Sequence, residues 1–162
     1  MILIALGANL PSRAGSPAET LRAALAALAE RGISVGAVSP FFQTPAWPDP
    51  HDPPFVNAVA RVETELAPRA LLDVLLNLET QFGRQPGPRN APRPLDLDLV
   101  DYDGRTEDGP PELPHPRIAE RGFVLIPLAE IAPGWRHPVS GKTVEALIVG
   151  LSQDQRKVEI AE

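Results

Sequence analysis

Apolar residues recur along this chain in two rhythms. Residues 1–7 run apolar without a break and stop at Gly7 and Asn9, which predicts a buried strand. Ser16, Pro17 and Glu19 then spell a helix start: a capping hydroxyl, a proline at the first helical position and a carboxylate at the third. Leu21, Leu25 and Leu28 share one face of that helix, which reaches about Glu30 and is stopped by Gly32. Alternation returns at 33–39, with Ile33, Val35 and Ala37 set against small residues, and again at 55–66. In the longer strand Val56, Ala58, Ala60 and Val62 make one face. Phe55, Asn57, Val59, Arg61 and Glu63 make the other. Pro68 opens a second helix whose stripe is Leu71, Leu72, Leu75, Leu78 and Phe82, with Gly83 as its stop. Residues 95–102 predict a fourth strand, closed by an Asp103-Gly104 turn. Residues 41–54 and 84–94 read as loops. Beyond the turn, 123–128 is apolar with a proline inside, an extended piece or a short helix. Residues 141–151 predict a helix and 157–160 an edge strand.

The order β-α-β-β-α-β is that of a split βαβ unit. The predicted fold is therefore α+β, a ferredoxin-like core with a central antiparallel sheet and helices packed on its faces. The length, 162 residues, suits one domain spanning 1–162. A net charge of −6 argues against nucleic acid or an anionic membrane as partner. There is no cysteine, so neither a disulfide nor a thiolate metal site is available. No apolar run approaches roughly 18 residues and the N-terminus lacks a basic leader, which predicts a soluble cytoplasmic protein. The unusual number is 20 prolines, about twice average usage, gathered at 40–54, 86–94 and 110–116. Proline stiffens those three loops.

One stiff loop runs into the fourth strand, and the chemistry collects there. Asp96 and Asp98 are two residues apart, so on a strand they share a face, while Leu95, Leu97 and Leu99 point into a core. Paired acids repel unless something positive joins them, and hard divalent cations do this well. The plainer reading is a solvated edge, which Asp101 and Asp103 nearby support. Against it, Asp is a poor strand former. Arg84, Arg89 and Arg93 lie in or beside the loop, either as solubilising charges or as anion ligands held by the proline frame. His115, fixed between Pro114 and Pro116, and Arg117 and Arg121 after it, offer further anion contacts or simply face water. Asn57 shares a strand face with Phe55. An amide suits the edge of a heterocycle, and Phe55, Phe123 and Trp47 suit its faces, although core packing explains the same residues. Glu79 is either a solvated helix charge or an acceptor for a sugar hydroxyl.

Assembled in order, these residues resemble the 6-hydroxymethyl-7,8-dihydropterin pyrophosphokinase family. Arg89 to Val100 satisfies its signature, a basic residue, any residue, a small one, then P-R-x-x-D-L-D and two aliphatics. Gly7-Ala8-Asn9-Leu10, Thr44-Pro45, Phe55-Val56-Asn57, Glu79 with Gly83-Arg84, Leu113-Pro114-His115 and Arg121-Gly122-Phe123 match further family motifs. The resemblance implies transfer of pyrophosphate from ATP to the 6-hydroxymethyl group of a reduced pterin, with AMP released. It implies two Mg²⁺ ions on Asp96 and Asp98, and catalytic arginines at Arg84 and Arg93. ATP contacts would come from Glu79, Arg84, Arg93, Leu99, His115 and Arg121. Pterin contacts would come from Thr44, Pro45, Trp47, Phe55, Asn57, Asp96 and Phe123. The partners implied are the two substrates, with no nucleic acid and no membrane, and the chain is expected to act as a monomer. One departure is Asn90, where family members carry a tryptophan that closes over the pterin; Trp47 is a candidate replacement. Two other classes fit parts of the pattern. A two-metal nucleotidyltransferase also places D-x-D on such a sheet, and a ligand-sensing module shares the fold without the chemistry.

Overall fold

The computed structural model describes residues 1–46, 49–88 and 91–161. Its main sheet is antiparallel throughout, in the order β5-β1-β4-β3-β8, with β2 pairing the remaining length of β4. The strands are β1 (Ile2–Ala8), β2 (Ser34–Val38), β3 (Phe42–Thr44), β4 (Phe55–Glu63), β5 (Asp96–Tyr102) and β8 (Glu159–Ile160). Helices α1 (Pro17–Glu30) and α2 (Pro68–Gln81) cross between them, so β1, β2, β4 and β5 with the two helices make the expected ferredoxin-like core. A small hairpin of β6 (Glu107–Asp108) and β7 (Glu112–Leu113) stands apart from the sheet.

The helices form where the sequence places their signals. Ser16 caps α1 by accepting from the Glu19 N–H, and the Glu19 carboxylate accepts from the Ser16 N–H in return. At the other end Gly32 takes φ +79, letting the Ile33 N–H reach back to the Leu28 carbonyl. Leu28 and Ile33 are both fully buried in the same core, so the turn is closed by an apolar contact as well. That core lies between the sheet and α1 and α2. It takes Leu21 and Leu28 from the first helix, Leu71, Leu75 and Leu78 from the second, and Leu95, Leu97 and Leu99 from around β5.

The opposite face carries a second core built on α3 (Gly122–Ile131) and α4 (Val144–Val149), with Leu3, Val59, Val100, Leu125, Trp135 and Leu147. The apolar stretch at 123–128 is therefore helix, not an extended piece. Pro127 sits inside it and forgoes one backbone hydrogen bond, which the packing of Val124, Leu125 and Leu128 outweighs. The predicted helix at 141–151 is shorter, because Thr143 caps it from the Ala146 N–H and Gly141 belongs to the turn before. β3 falls inside the stretch read as loop. Three residues between prolines show no period, yet they gain pairing on both sides from β4 and β8.

β5 is interrupted by a bulge. Leu99 faces Ile4 and Asp101 faces Leu3, so Val100 is an extra residue. The parity of the strand changes there. Tyr102 joins the first core and gives its hydroxyl proton to the Leu66 carbonyl. Asp101 turns to the second core, 4% exposed, and accepts 2.8 Å from the Trp135 indole N–H. This corrects the reading of Asp101 as solvated charge. Asp103 does stay at the surface, at φ 53 beside Gly104 at φ 72, and pairs with the N-terminal ammonium.

Candidate active site

Register lines up the first part of the site. Phe42, Asn57, Gly7 and Asp96 stand opposite one another across β3, β4, β1 and β5. Directly paired residues share a face, so Asn57 and Asp96 look to the same side of the sheet across a glycine. A Cβ at Gly7 would lie 2.7 Å from the Asn57 Oδ1. Only glycine leaves that amide where it is. The Asn57 Nδ2 donates 2.8 Å to Thr44 Oγ1, which fixes its orientation. Asp98 stands one step further along, opposite Ala5.

The arginines arrive from three directions. α2 ends in a turn that Gly83 makes possible at φ +97, with Arg84 N–H returning to the Glu79 carbonyl. The turn brings the Arg84 guanidinium onto the Glu79 carboxylate at 2.7 Å and onto Asp96 at 2.9 Å. Glu79 is buried and also accepts from the Leu97 N–H at 2.7 Å, so one carboxylate joins α2, β5 and Arg84. Arg93 comes from the proline loop, 3.8 Å from Asp96 and with its guanidinium over the Phe55 ring. Its Nε is buried without a hydrogen-bond partner among the described residues. Arg121, just before α3, lies 3.5 Å from Asp98 and over the Phe123 ring. The His115 N–H donates to the Val100 carbonyl, and its Nδ1 accepts from the Arg117 N–H. A neutral ring held this way carries its proton on Nε2.

Charge is unevenly settled here. Burial pushes the Asp98 carboxyl up to about 7, with repulsion from Asp96 adding and Arg121, Arg84 and Arg93 opposing. Burial likewise pushes Glu79 up to about 7, against the Leu97 hydrogen bond and Arg84. Two oxygen-donor carboxylates on one strand face, with Asp98 unwilling to ionise while its neighbour is charged, suit a hard divalent cation. A cation would settle the repulsion the strand has built.

These groups converge on one cavity of about 560 Å³. Thr44, Pro45, Phe55, Asn57, Arg84, Arg93, Asp96, Asp98, His115, Arg121 and Phe123 all line it, as does Arg117. Two expected site residues stand elsewhere. Leu99 is 4% exposed in the leucine core, and Glu79 lies behind Arg84. Trp47, Arg89 and Asn90, and with them the idea that Trp47 replaces a missing lid aromatic, lie outside the described residues. Sequence reasoning missed two contributors. Asn9, 3% exposed, accepts from the Arg93 N–H through Oδ1 and donates to the Pro53 carbonyl, tying two stiff loops to the end of β1. Its place after Gly7 in a strand-end motif was the available signal. The other is a wall made by Asp154, Gln155, Lys157 and Val158, for which local sequence gives no signal.

Residues 3–133 match the family model for 7,8-dihydro-6-hydroxymethylpterin-pyrophosphokinase (HPPK). A 2-amino-4-hydroxy-6-hydroxymethyldihydropteridine pyrophosphokinase of Methylorubrum extorquens is 39% identical, over 91% of this chain and 91% of its own. Its namesake in Synechocystis sp. is 40% identical, over 90% of this chain and 73% of its own. Among solved structures, Plasmodium falciparum HPPK-DHPS with pteroate superposes with a TM-score of 0.69 at 12% identity. It covers 92% of this chain, which spans 44% of that longer one, and the likeness bears on the fold alone. From the family match and these relatives, the chain belongs to the 7,8-dihydro-6-hydroxymethylpterin-pyrophosphokinase family.

Proposed function

We infer that the chain transfers pyrophosphate from ATP to the 6-hydroxymethyl group of 6-hydroxymethyl-7,8-dihydropterin and releases AMP, a step of folate biosynthesis. The observation that carries the residue assignment is the sharing of one cavity. Asp96 and Asp98, four arginines, the Phe55 and Phe123 rings and the oriented Asn57 amide all line it. The hydroxymethyl oxygen attacks the β-phosphorus, and the bond from that phosphorus to the oxygen shared with the α-phosphate breaks. Asp96 and Asp98 would hold two Mg²⁺ ions, which when bound lower the hydroxyl's pKa and neutralise phosphate oxygens.

The rest is positioning and charge, as phosphoryl chemistry requires. Arg84 and Arg93 clasp the triphosphate, Arg93 with the Nε that has no hydrogen-bond partner among the described residues. To do so each must loosen its hold on Asp96, whose carboxylate would then be free to hold a cation. Arg121 and the Nε2 proton of His115 meet the remaining phosphate oxygens. Glu79 serves the nucleotide end from behind, by aiming Arg84. Phe55 and Phe123 take the pterin between them, and Asn57, held by Thr44, reads its edge. We place the reaction in the cytoplasm with the chain acting as a monomer. No helix among the described residues is long and apolar enough to cross a membrane.

The test is direct. The purified chain is incubated with ATP, Mg²⁺ and the reduced pterin, and the nucleotide product is identified. AMP is expected. ADP would mean an ordinary kinase, released pyrophosphate a nucleotidyltransferase, and no product a binding module.

A further inference from the structure

The family match ends at residue 133, yet Asp154, Gln155, Lys157 and Val158 line the same cavity. We propose that Gln155 is a positioning residue, and that residues 152–161 form a strap seating both walls of the substrate cavity. The proposal rests on the reaction assigned above.

At one end the strap grips the start of α3. Arg121 occupies the N-cap position of that helix and makes no side-chain cap bond. The cap comes from 33 residues away, where Gln155 Oε1 accepts from the Gly122 N–H at 3.1 Å. The two main chains also meet. A Cβ at Gly122 would lie 1.7 Å from the Gln155 carbonyl oxygen, 2.8 Å from its carbonyl carbon and 3.3 Å from Leu151. The backbone of 155 therefore fits against the first turn of α3 only because residue 122 has no side chain. The residues on either side of that glycine are Arg121 and Phe123, one for phosphate and one for a face of the pterin.

At its other end the strap is a strand. β8 pairs Ile160 with Phe42 and Glu159 with Gln43, and the Ala161 N–H donates to the Phe41 carbonyl at 2.8 Å. β3 leads directly into Thr44 and Pro45 and pairs with Phe55 and Asn57. One short segment thus joins the wall bearing Arg121 and Phe123 to the wall bearing Thr44, Phe55 and Asn57. Its length sets their separation, the slot a flat heterocycle must fit. Gln155 need not touch substrate for this; it acts through Gly122.

The experiment uses the full chain with Gln155→Ala, Gln155→Glu and Gly122→Ala. It measures KM for each substrate, melting temperature, and backbone amide exchange across 122–125 and 42–44. Gln155→Ala is expected to raise KM for the pterin and for ATP about 5–10-fold, the loss of one neutral hydrogen bond, with the melting temperature little changed. Gln155→Glu keeps an acceptor for the Gly122 N–H and holds the pterin KM near wild type. Gly122→Ala, which must displace the strap, raises both KM values further. Exchange at 122–125 quickens in Gln155→Ala without substrate present. Unchanged exchange overturns the proposal whatever the activity. Faster exchange with unchanged KM values overturns the positioning role. A wild-type chain that makes no AMP defeats the assigned reaction instead, and exchange then decides the strap by itself.

Discussion

Leu97 and Leu99 leave β5 toward α1 and α2, while Asp96 and Asp98, interleaved with them, leave toward the α3 side. The leucine face is sealed along its whole length by two long helices. The other face is sealed only in part. Val59, Leu125, Trp135 and Leu147 fill it beside the lower strands, and the cavity opens beyond them. The difference teaches how a small sheet carries two unfavourable carboxylates. Stability comes from the closed face and the filled half of the open one. The rest is left free to hold like charges together, with Arg84, Arg93 and Arg121 limiting the cost until a ligand arrives.

The comparison breaks if changes on one face produce the other face's phenotype. Asp98→Ala is expected to have the largest effect on turnover, a loss of about 10³-fold or more, corresponding to several kcal/mol of barrier. Its circular dichroism should match wild type; substantial activity, or a lost fold, would sink the division of labour. Leu97→Ala, its neighbour on the closed face, should cost about 2–5 kcal/mol of stability in denaturant titration. Turnover per folded molecule should stay within a few-fold of wild type. Asn57→Ala should raise the pterin KM by about 10–100-fold, because an oriented amide is lost from a buried edge, and leave the ATP KM nearly alone. Gly83→Ala sharpens the link between the faces. A Cβ there would lie 3.9 Å from the Pro94 side chain, so space is adequate, but φ +97 is not an alanine conformation. It should cost about 1 kcal/mol of stability and lower turnover by disturbing the Arg84 turn.

The smallest expected effect is one of pH. Asp98 is held near 7 when folded and near its ordinary value of 3.8 when unfolded. A raised carboxyl pKa means the folded state binds the proton more tightly. Its stabilising share is full below the unfolded value and is lost as pH rises through about 7. Without divalent cation, the melting temperature should therefore fall between pH 5 and pH 8. Asp98→Asn should reduce that fall, by about 2–4 °C for each kcal/mol relieved. Added Mg²⁺ should reduce it in wild type and not in Asp98→Asn. An equal fall in both proteins would place the strain elsewhere.

Much of this was legible in the sequence where burial follows a period. β4, β5, α1 and α2 each repeat an apolar residue at two or at three to four positions, β1 is apolar throughout, and all but β4 have a stop signal. β3 was not legible, because Phe42–Thr44 is too short to repeat anything. α3 was ambiguous, because a helix with Val124, Leu125, Pro127 and Leu128 all buried shows no polar face to set its period. In the site, Asp96, Asp98 and the arginines stood out by type and spacing only as candidates, with a solvated role equally open until the family motif gathered them. Glu79 was less visible: an acid in the last turn of a helix looks solvated, and its burial depends on Leu97 and Arg84 arriving from elsewhere. Gln155 and Lys157 are ordinary surface residue types, made part of the cavity only by tertiary folding.

The extra residue at Val100 gives β5 a property no substitution would reveal. The strand carries two alternations, out of step by one, joined at the bulge. Deleting Val100 would bring them into step and leave Asp101 opposite Leu3 and Tyr102 opposite Ile2, with only the Val100 side chain lost from the second core. Asp96 and Asp98 would keep their side of the sheet. An insertion or deletion in this strand thus has a position-dependent meaning. Before Val100 it inverts the chemistry, and at Val100 its loss spares both the chemistry and the pairing that follows. Loss of one residue from β5 should accordingly be tolerated better at Val100 than before it.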